Sequence, residues 1–72
     1  MAWAAFFGQK DVVSLLIEAG ASINALDGNY GTPLDAAIFA WRASQDNAAW
    51  AKNLMEIITI IKAKGGKPAD EL

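Results

Sequence analysis

Asp35, the last residue of the segment Thr32-Pro33-Leu34-Asp35, is a carboxylate that could be considered for a chemical role. A lone carboxylate can act as a general acid or base, and with Asp27 it could form a weak cation site. The sequence contains no His and no Cys, so zinc sites and His-dependent triads are excluded. At this spacing a helix cap is favoured instead: Thr32 as N-cap, Pro33 at the first helical position, and Asp35 bonded back to the cap. We therefore predict no catalytic residue and no metal ligand.

Composition narrows the classes of function further. Of 72 residues, 54% are hydrophobic and 19% charged, which excludes a mainly disordered chain. The net charge of −2 lacks the basic excess that nucleic-acid binding requires. No apolar run approaches the ~18 residues of a membrane span, and no secretion leader is recognisable. We expect a cytoplasmic protein that is not an enzyme, needs no cofactor, and binds neither nucleic acid nor membrane.

The helices that must position these residues repeat along the chain. Shifted by 33 residues, residues 4–6 coincide with 37–39, and shifted by 45, residues 11–16 coincide with 56–61. The difference of 12 residues is an insertion in the second unit, which we place at residues 41–52. Because this segment keeps Trp41 and Trp50 in helical register with both neighbours, we expect an ordered helical hairpin there.

Each unit is predicted to be a pair of helices. Residues 11–19 are predicted to form an amphipathic helix that ends at Gly20. The Gly- and Asn-rich residues 20–31 are predicted to form a loop, which could be a β-hairpin finger. The predicted buried face of this helix comprises Val12, Leu15, Leu16 and Ala19. The last helix, about 18 residues long, carries the apolar stripe Trp50, Leu54, Ile57, Ile58 and Ile61. We expect Ser44 or Asp46 to cap it, Gly65 to end it, and the tail at 67–72 to be loose.

Two helix pairs on a 33-residue period, with Thr32-Pro33-Leu34-Asp35 opening a helix, resemble ankyrin repeats. The resemblance implies an all-α fold of helix-turn-helix repeats with a finger loop, the last repeat being enlarged by the insertion. It divides the single domain, residues 1–72, into a truncated first repeat at 1–26, a second repeat at 27–66 and the tail. About one and a half repeats are present, and the ending at 60–66 resembles the polar-faced helix that closes ankyrin arrays. Asp35 stands where the family usually has His.

The resemblance also implies protein-binding positions on the concave face and the finger tip. These are Phe6, Phe7, Leu26, Asn29 and Phe39. The three phenylalanines could instead pack under the insertion or in an oligomer seam, and Asn29 could be a turn former. By its register Trp3 is expected in the core, while Trp41 and Trp50 are expected to close the lengthened hairpin rather than to bind a ligand.

We therefore expect a non-catalytic protein–protein interaction module of ankyrin type. The alternative is a self-associating helical subunit whose apolar surface serves oligomerisation only. A third interpretation is an enzyme or a small-ligand pocket between the lengthened helices. For the isolated chain we expect a homodimer or higher oligomer, joined through its N-terminal end, with the basic residues near the C-terminus outside the seam. The residues expected near that seam are Met1, Trp3, Phe6, Val12 and Leu16.

Overall fold

The fold is all-α, as the sequence predicts. The computed structural model describes residues 1–71; Leu72, the last residue of the predicted tail, lies outside them. No β-strand occurs within residues 1–71. The helices are α1 (Ala2–Phe6), α2 (Lys10–Glu18), α3 (Pro33–Ala43) and α4 (Ala48–Ala63), followed by a short 3₁₀ helix, Ala69–Glu71.

Two helix-turn-helix pairs, α1 with α2 and α3 with α4, pack on each other through α1 against α3 and α2 against α4. Their connection contains the expected finger, a minimal hairpin in which Asp27 and Gly31 exchange both backbone hydrogen bonds, at 2.7 and 2.8 Å. Gly31 has φ +79°, a left-handed conformation that glycine adopts without strain. The core between the pairs consists mainly of small and aliphatic side chains, which allow α1 and α3 to approach closely: Ala2, Ala4, Ala5, Val13, Leu34, Ala36, Ala37, Ile57 and Ile61.

Two predictions about which side chains are buried are wrong. Val13 is the fully buried residue of α2, whereas Leu15 is 65% exposed and Ala19 is exposed too. A second apolar stripe, made of Val13, Leu16 and Ile17, overlaps the predicted one on this helix. The stripe that includes Val13 is the one that faces α1 and α4. Trp3 is 58% exposed because α1 directs its alanines, Ala4 and Ala5 among them, into the core.

The predicted cap of α3 is confirmed. The backbone N–H of Asp35 donates to Thr32 Oγ1 at 3.3 Å, and the backbone N–H of Thr32 donates to Asp35 Oδ2 at 3.2 Å. Each side chain thus accepts a hydrogen bond from the backbone N–H of the other residue at the start of the helix, as a capping box requires.

The segment predicted to be an insertion, residues 41–52, is a helical hairpin, as expected. Relative to the first pair, α3 continues four residues past Phe39, α4 begins seven residues earlier, and the turn between them is one residue longer.

The predicted N-cap of α4 is wrong: Asn47 Oδ1 accepts from the backbone N–H of Trp50 at 3.0 Å, while Ser44 Oγ donates to the Trp41 carbonyl at 2.7 Å. Ser44 therefore closes α3, and Asn47 opens α4. The predicted end at Gly65 is confirmed, because Gly65 follows the C-cap Lys64 with φ +89°.

The prediction of a loose tail is wrong for residues 67–71. The backbone N–H of Lys67 donates to Asn24 Oδ1 at 2.7 Å, and Asn24 Nδ2 donates to the Gly65 carbonyl at 3.3 Å. The backbone N–H of Ala69 donates to Asp35 Oδ2 at 2.9 Å. The tail is thus fixed to the loop before the finger and to the start of α3.

One ion pair joins α2 to α4 at the surface: Lys10 Nζ lies 2.8 Å from Glu56 Oε2. This hydrogen bond and the attraction of the two charges lower the pKa of Glu56 and raise the pKa of Lys10. The pair therefore stabilises the fold at neutral pH, and its contribution is lost as the pH falls through the pKa of Glu56 or rises through that of Lys10. Since both side chains are exposed, the effect is small.

Candidate protein-interaction surface

Six of the seven aromatic side chains form one connected cluster around Phe6, the last residue of α1. The ring centroid of Phe6 lies 5.1 Å from Phe7, 5.1 Å from Tyr30 and 6.1 Å from both Phe39 and Trp50. Trp3 joins the cluster through Phe7, at 5.9 Å. Aromatic pairs at these distances attract each other beyond the burial of their surface.

The repeat explains the centre of this cluster. Phe6 and Phe39 occupy equivalent positions on α1 and α3, and since those helices pack side by side, the two rings stack with an interplanar angle of 26°. Trp50 of α4 is also bonded to the end of α1, because its indole Nε1 donates to the Phe6 carbonyl at 3.3 Å. The expectation that Trp50 closes the hairpin with Trp41 is therefore wrong, because Trp50 packs on α1.

A groove of about 610 Å³ opens between the finger, α3 and the tail. Phe6, Tyr30 and Phe39 contribute its aromatic lining, and we call it the aromatic groove. Phe39 is 67% exposed, so one ring of the cluster faces solvent over most of its surface. The remaining lining residues are Asn29, Asp35, Ala36, Ile38, Arg42, Pro68, Asp70 and Glu71.

The structure brings together three of the five predicted binding residues. Phe6, Asn29 and Phe39 line the aromatic groove. Phe7 touches Phe6 and is 49% exposed, but it lines a neighbouring depression beside Trp50. Leu26 is 69% exposed and lies in a separate depression next to Met1 and Ala2.

Sequence reasoning missed the other lining residues. Arg42 follows Phe39 by three positions on α3, a spacing that places both on one helix face, and this signal was available in the sequence. Tyr30 stands beside the finger glycine and could have been found from that position. Asp70 and Glu71 reach the groove only because the tail is fixed, and no pattern in the sequence indicates that.

The two aspartates considered for a cation site serve the backbone instead. Asp27 Oδ1 accepts from the backbone N–H groups of Asn29 at 2.7 Å and Tyr30 at 3.3 Å, while Asp35 Oδ2 caps α3 and holds Ala69. Over residues 1–71, no three His, Cys, Asp or Glu side chains are grouped so that they could hold a metal ion. In the same part of the chain, every helix is too short or too polar to cross a membrane.

Comparisons with known proteins agree with this architecture. The sequence model of the family described as "Ankyrin repeats (many copies)" matches residues 1–43. A Drosophila melanogaster protein named "ARF GTPase-activating protein Git" is 40% identical over 72 residues, covering 93% of this chain and 9% of that relative. The chain thus spans less than a tenth of that relative's length. No solved structure matches.

Proposed function

The chain belongs to the ankyrin repeat family, and from this premise we propose that it is a non-catalytic module that binds another protein in the cytoplasm through the aromatic groove. The observation that carries the proposal is the exposure of Phe39, 67%, in a cluster whose central residue, Phe6, contacts four other aromatic rings. Large apolar side chains exposed beside a groove are typical of interaction sites.

The aromatic side chains around the groove are already packed before a partner binds. Phe6 is half-buried and Trp50 is hydrogen-bonded beneath it, so a partner that covers Phe39 has few side chains to immobilise. Affinity then comes from burying rings on a rigid support, at a small cost in conformational entropy. Aromatic anchors of this kind are the residues that most often dominate binding energy.

Selection of random peptides displayed on phage against the immobilised chain tests this proposal. We expect the selected peptides, once synthesised, to lose affinity by about 30-fold or more for Phe39→Ser, since a hot spot contributes roughly 2 kcal/mol. Fluorescence anisotropy measures the affinity, and circular dichroism verifies that each variant is folded.

Met55→Ser is the matched control, because Met55 is 49% exposed but lies on α4 and does not line the groove. Its affinity for the same peptides should equal that of the unchanged chain. Peptides that bind Phe39→Ser as tightly as the unchanged chain would refute the groove as the binding site.

Self-association is the second candidate, and exposed apolar side chains on α1 and α2 favour it. Trp3 is 58% exposed and Leu15 is 65% exposed, on two helices that contact each other. Of the residues expected near the seam, only Trp3 is mainly exposed; the other four, Met1, Phe6, Val12 and Leu16, are half-buried. A dimer would therefore depend chiefly on Trp3 and Leu15.

Sedimentation equilibrium at micromolar concentration distinguishes the two states. We expect a species of twice 7.7 kDa, which the double variant Trp3→Ser/Leu15→Ser converts to monomer. Met55→Ser, which changes a 49% exposed residue of α4, should leave the dimer intact. A folded monomer at every concentration would contradict self-association.

A further inference from the structure

We propose that the aromatic groove takes a basic side chain, a Lys or Arg that stands beside an apolar residue in an extended segment of a partner protein. This inference rests on the proposed function and names the chemistry of the partner. The volume of the groove, about 610 Å³, lies within the range of about 300–1,000 Å³ that is typical of binding pockets.

The lining of the groove carries more negative than positive charges. Asp35, Asp70 and Glu71 contribute three carboxylates to its lining, against one guanidinium from Arg42. The other five basic residues of the chain do not line it. The groove therefore carries an excess of two negative charges, which attracts a cation and opposes an acidic segment.

The aromatic rings favour the same ligand. A guanidinium or ammonium group is attracted to the face of an aromatic ring, and its aliphatic stem packs on apolar surface. Phe39 and Tyr30 supply rings in the same groove as the carboxylates. An apolar residue next to the basic one would cover the exposed surface of Phe39, so the segment satisfies both parts of the groove at once.

The backbone that carries the three carboxylates is ordered before a ligand arrives. Asp35 is fixed by the capping box, and the tail that carries Asp70 and Glu71 is tied at Lys67 to Asn24 and at Ala69 to Asp35. Charges on an ordered backbone need less reorganisation on binding than charges on a disordered one. The tail thus acts as one wall of the groove.

The peptides selected on phage provide the first test. We expect Lys and Arg next to Leu, Ile or Phe to be enriched relative to the unselected library, and Asp and Glu to be depleted. Replacing the basic residue of a synthetic peptide by its neutral analogue, citrulline for Arg, should lower its affinity about tenfold, and raising the salt concentration should weaken the unmodified peptide more than the neutral one.

Variants of the chain provide the second test. Asp70→Asn/Glu71→Gln keeps the shape of two exposed side chains and should lower the affinity for the basic peptide about fivefold, the effect of two exposed ion pairs. Glu18→Gln/Asp46→Asn, which changes two exposed carboxylates outside the groove, alters the net charge equally and should leave the affinity unchanged.

The outcomes separate this inference from the proposed function. Peptides that require Phe39 but contain no basic residue would overturn the inference and leave the groove as a binding site. Equal losses in the two charge variants would show that net charge, not the groove, attracts the peptide, and would overturn it too. Peptides insensitive to Phe39→Ser, or the failure of any peptide to bind, would overturn both proposals.

Discussion

Ile57→Ala is expected to lower the free energy of unfolding by about 3 kcal/mol, which is typical of shortening a buried aliphatic side chain to alanine. Ile57 lies on α4 with no exposed surface and belongs to the core between the two helix pairs. The loss combines the transfer of its carbons from the core with the cavity left behind. Small domains have marginal stability, so a change of this size removes a large share of the free energy of unfolding.

Urea denaturation followed by circular dichroism measures this loss. Met55→Ala is the matched control, because Met55 lies two residues away on the same helix but is 49% exposed. We expect its effect to stay within about 0.5 kcal/mol of zero, as for most surface substitutions. Similar losses in the two variants would contradict the assignment of Ile57 to the core.

Gly31→Ala is expected to lower the free energy of unfolding by about 2 to 3 kcal/mol, for two separate reasons. Gly31 has φ +79°, where an L side chain is strained. A Cβ at this position would also lie 2.6 Å from Asp35 Oδ2, so the Asp35 side chain would have to move. That oxygen accepts hydrogen bonds from the backbone N–H groups of Thr32 and Ala69, which the movement would weaken.

Gly20→Ala separates these two reasons. Gly20 has φ +87° but nothing lies within 4 Å of a Cβ added there, so this variant carries the backbone strain alone, about 1 kcal/mol. The difference between the two variants, measured by thermal unfolding, therefore reports the displacement of Asp35. Equal losses would show that the contact with Asp35 contributes nothing.

The sequence predicted those parts of the fold that depend on neighbours along the chain. The cap formed by Thr32 and Asp35 spans a single helical turn, and the end of α2 near Gly20 depends on one residue with a left-handed backbone. Burial could not be predicted in the same way. Leu15 and Val13 belong to overlapping stripes of one helix, and the positions of α1 and α4 decide which stripe is buried.

The candidate site could likewise be predicted from the sequence only in part. Phe6 and Phe39 could be paired from the repeat alone, because equivalent positions on adjacent helices lie side by side. The tail could not be placed, because its backbone is held by side chains 43 and 34 positions away, Asn24 and Asp35. Bonds from distant side chains to backbone amides depend on no residue type in the tail, so its sequence carries no trace of them.

The contacts between the two helix pairs also determine how the chain unfolds. Lys10 with Glu56, Phe6 with Trp50, and Asn24 with Gly65 join positions 46, 44 and 41 residues apart. The core is likewise shared, with Val13 supplied by the first pair and Ile57 by the second. Long repeat arrays can fray from one end because each repeat depends only on its neighbours. Here both pairs meet at the same junction, so opening either one exposes the core of the other, and the 71 described residues should melt in one cooperative step.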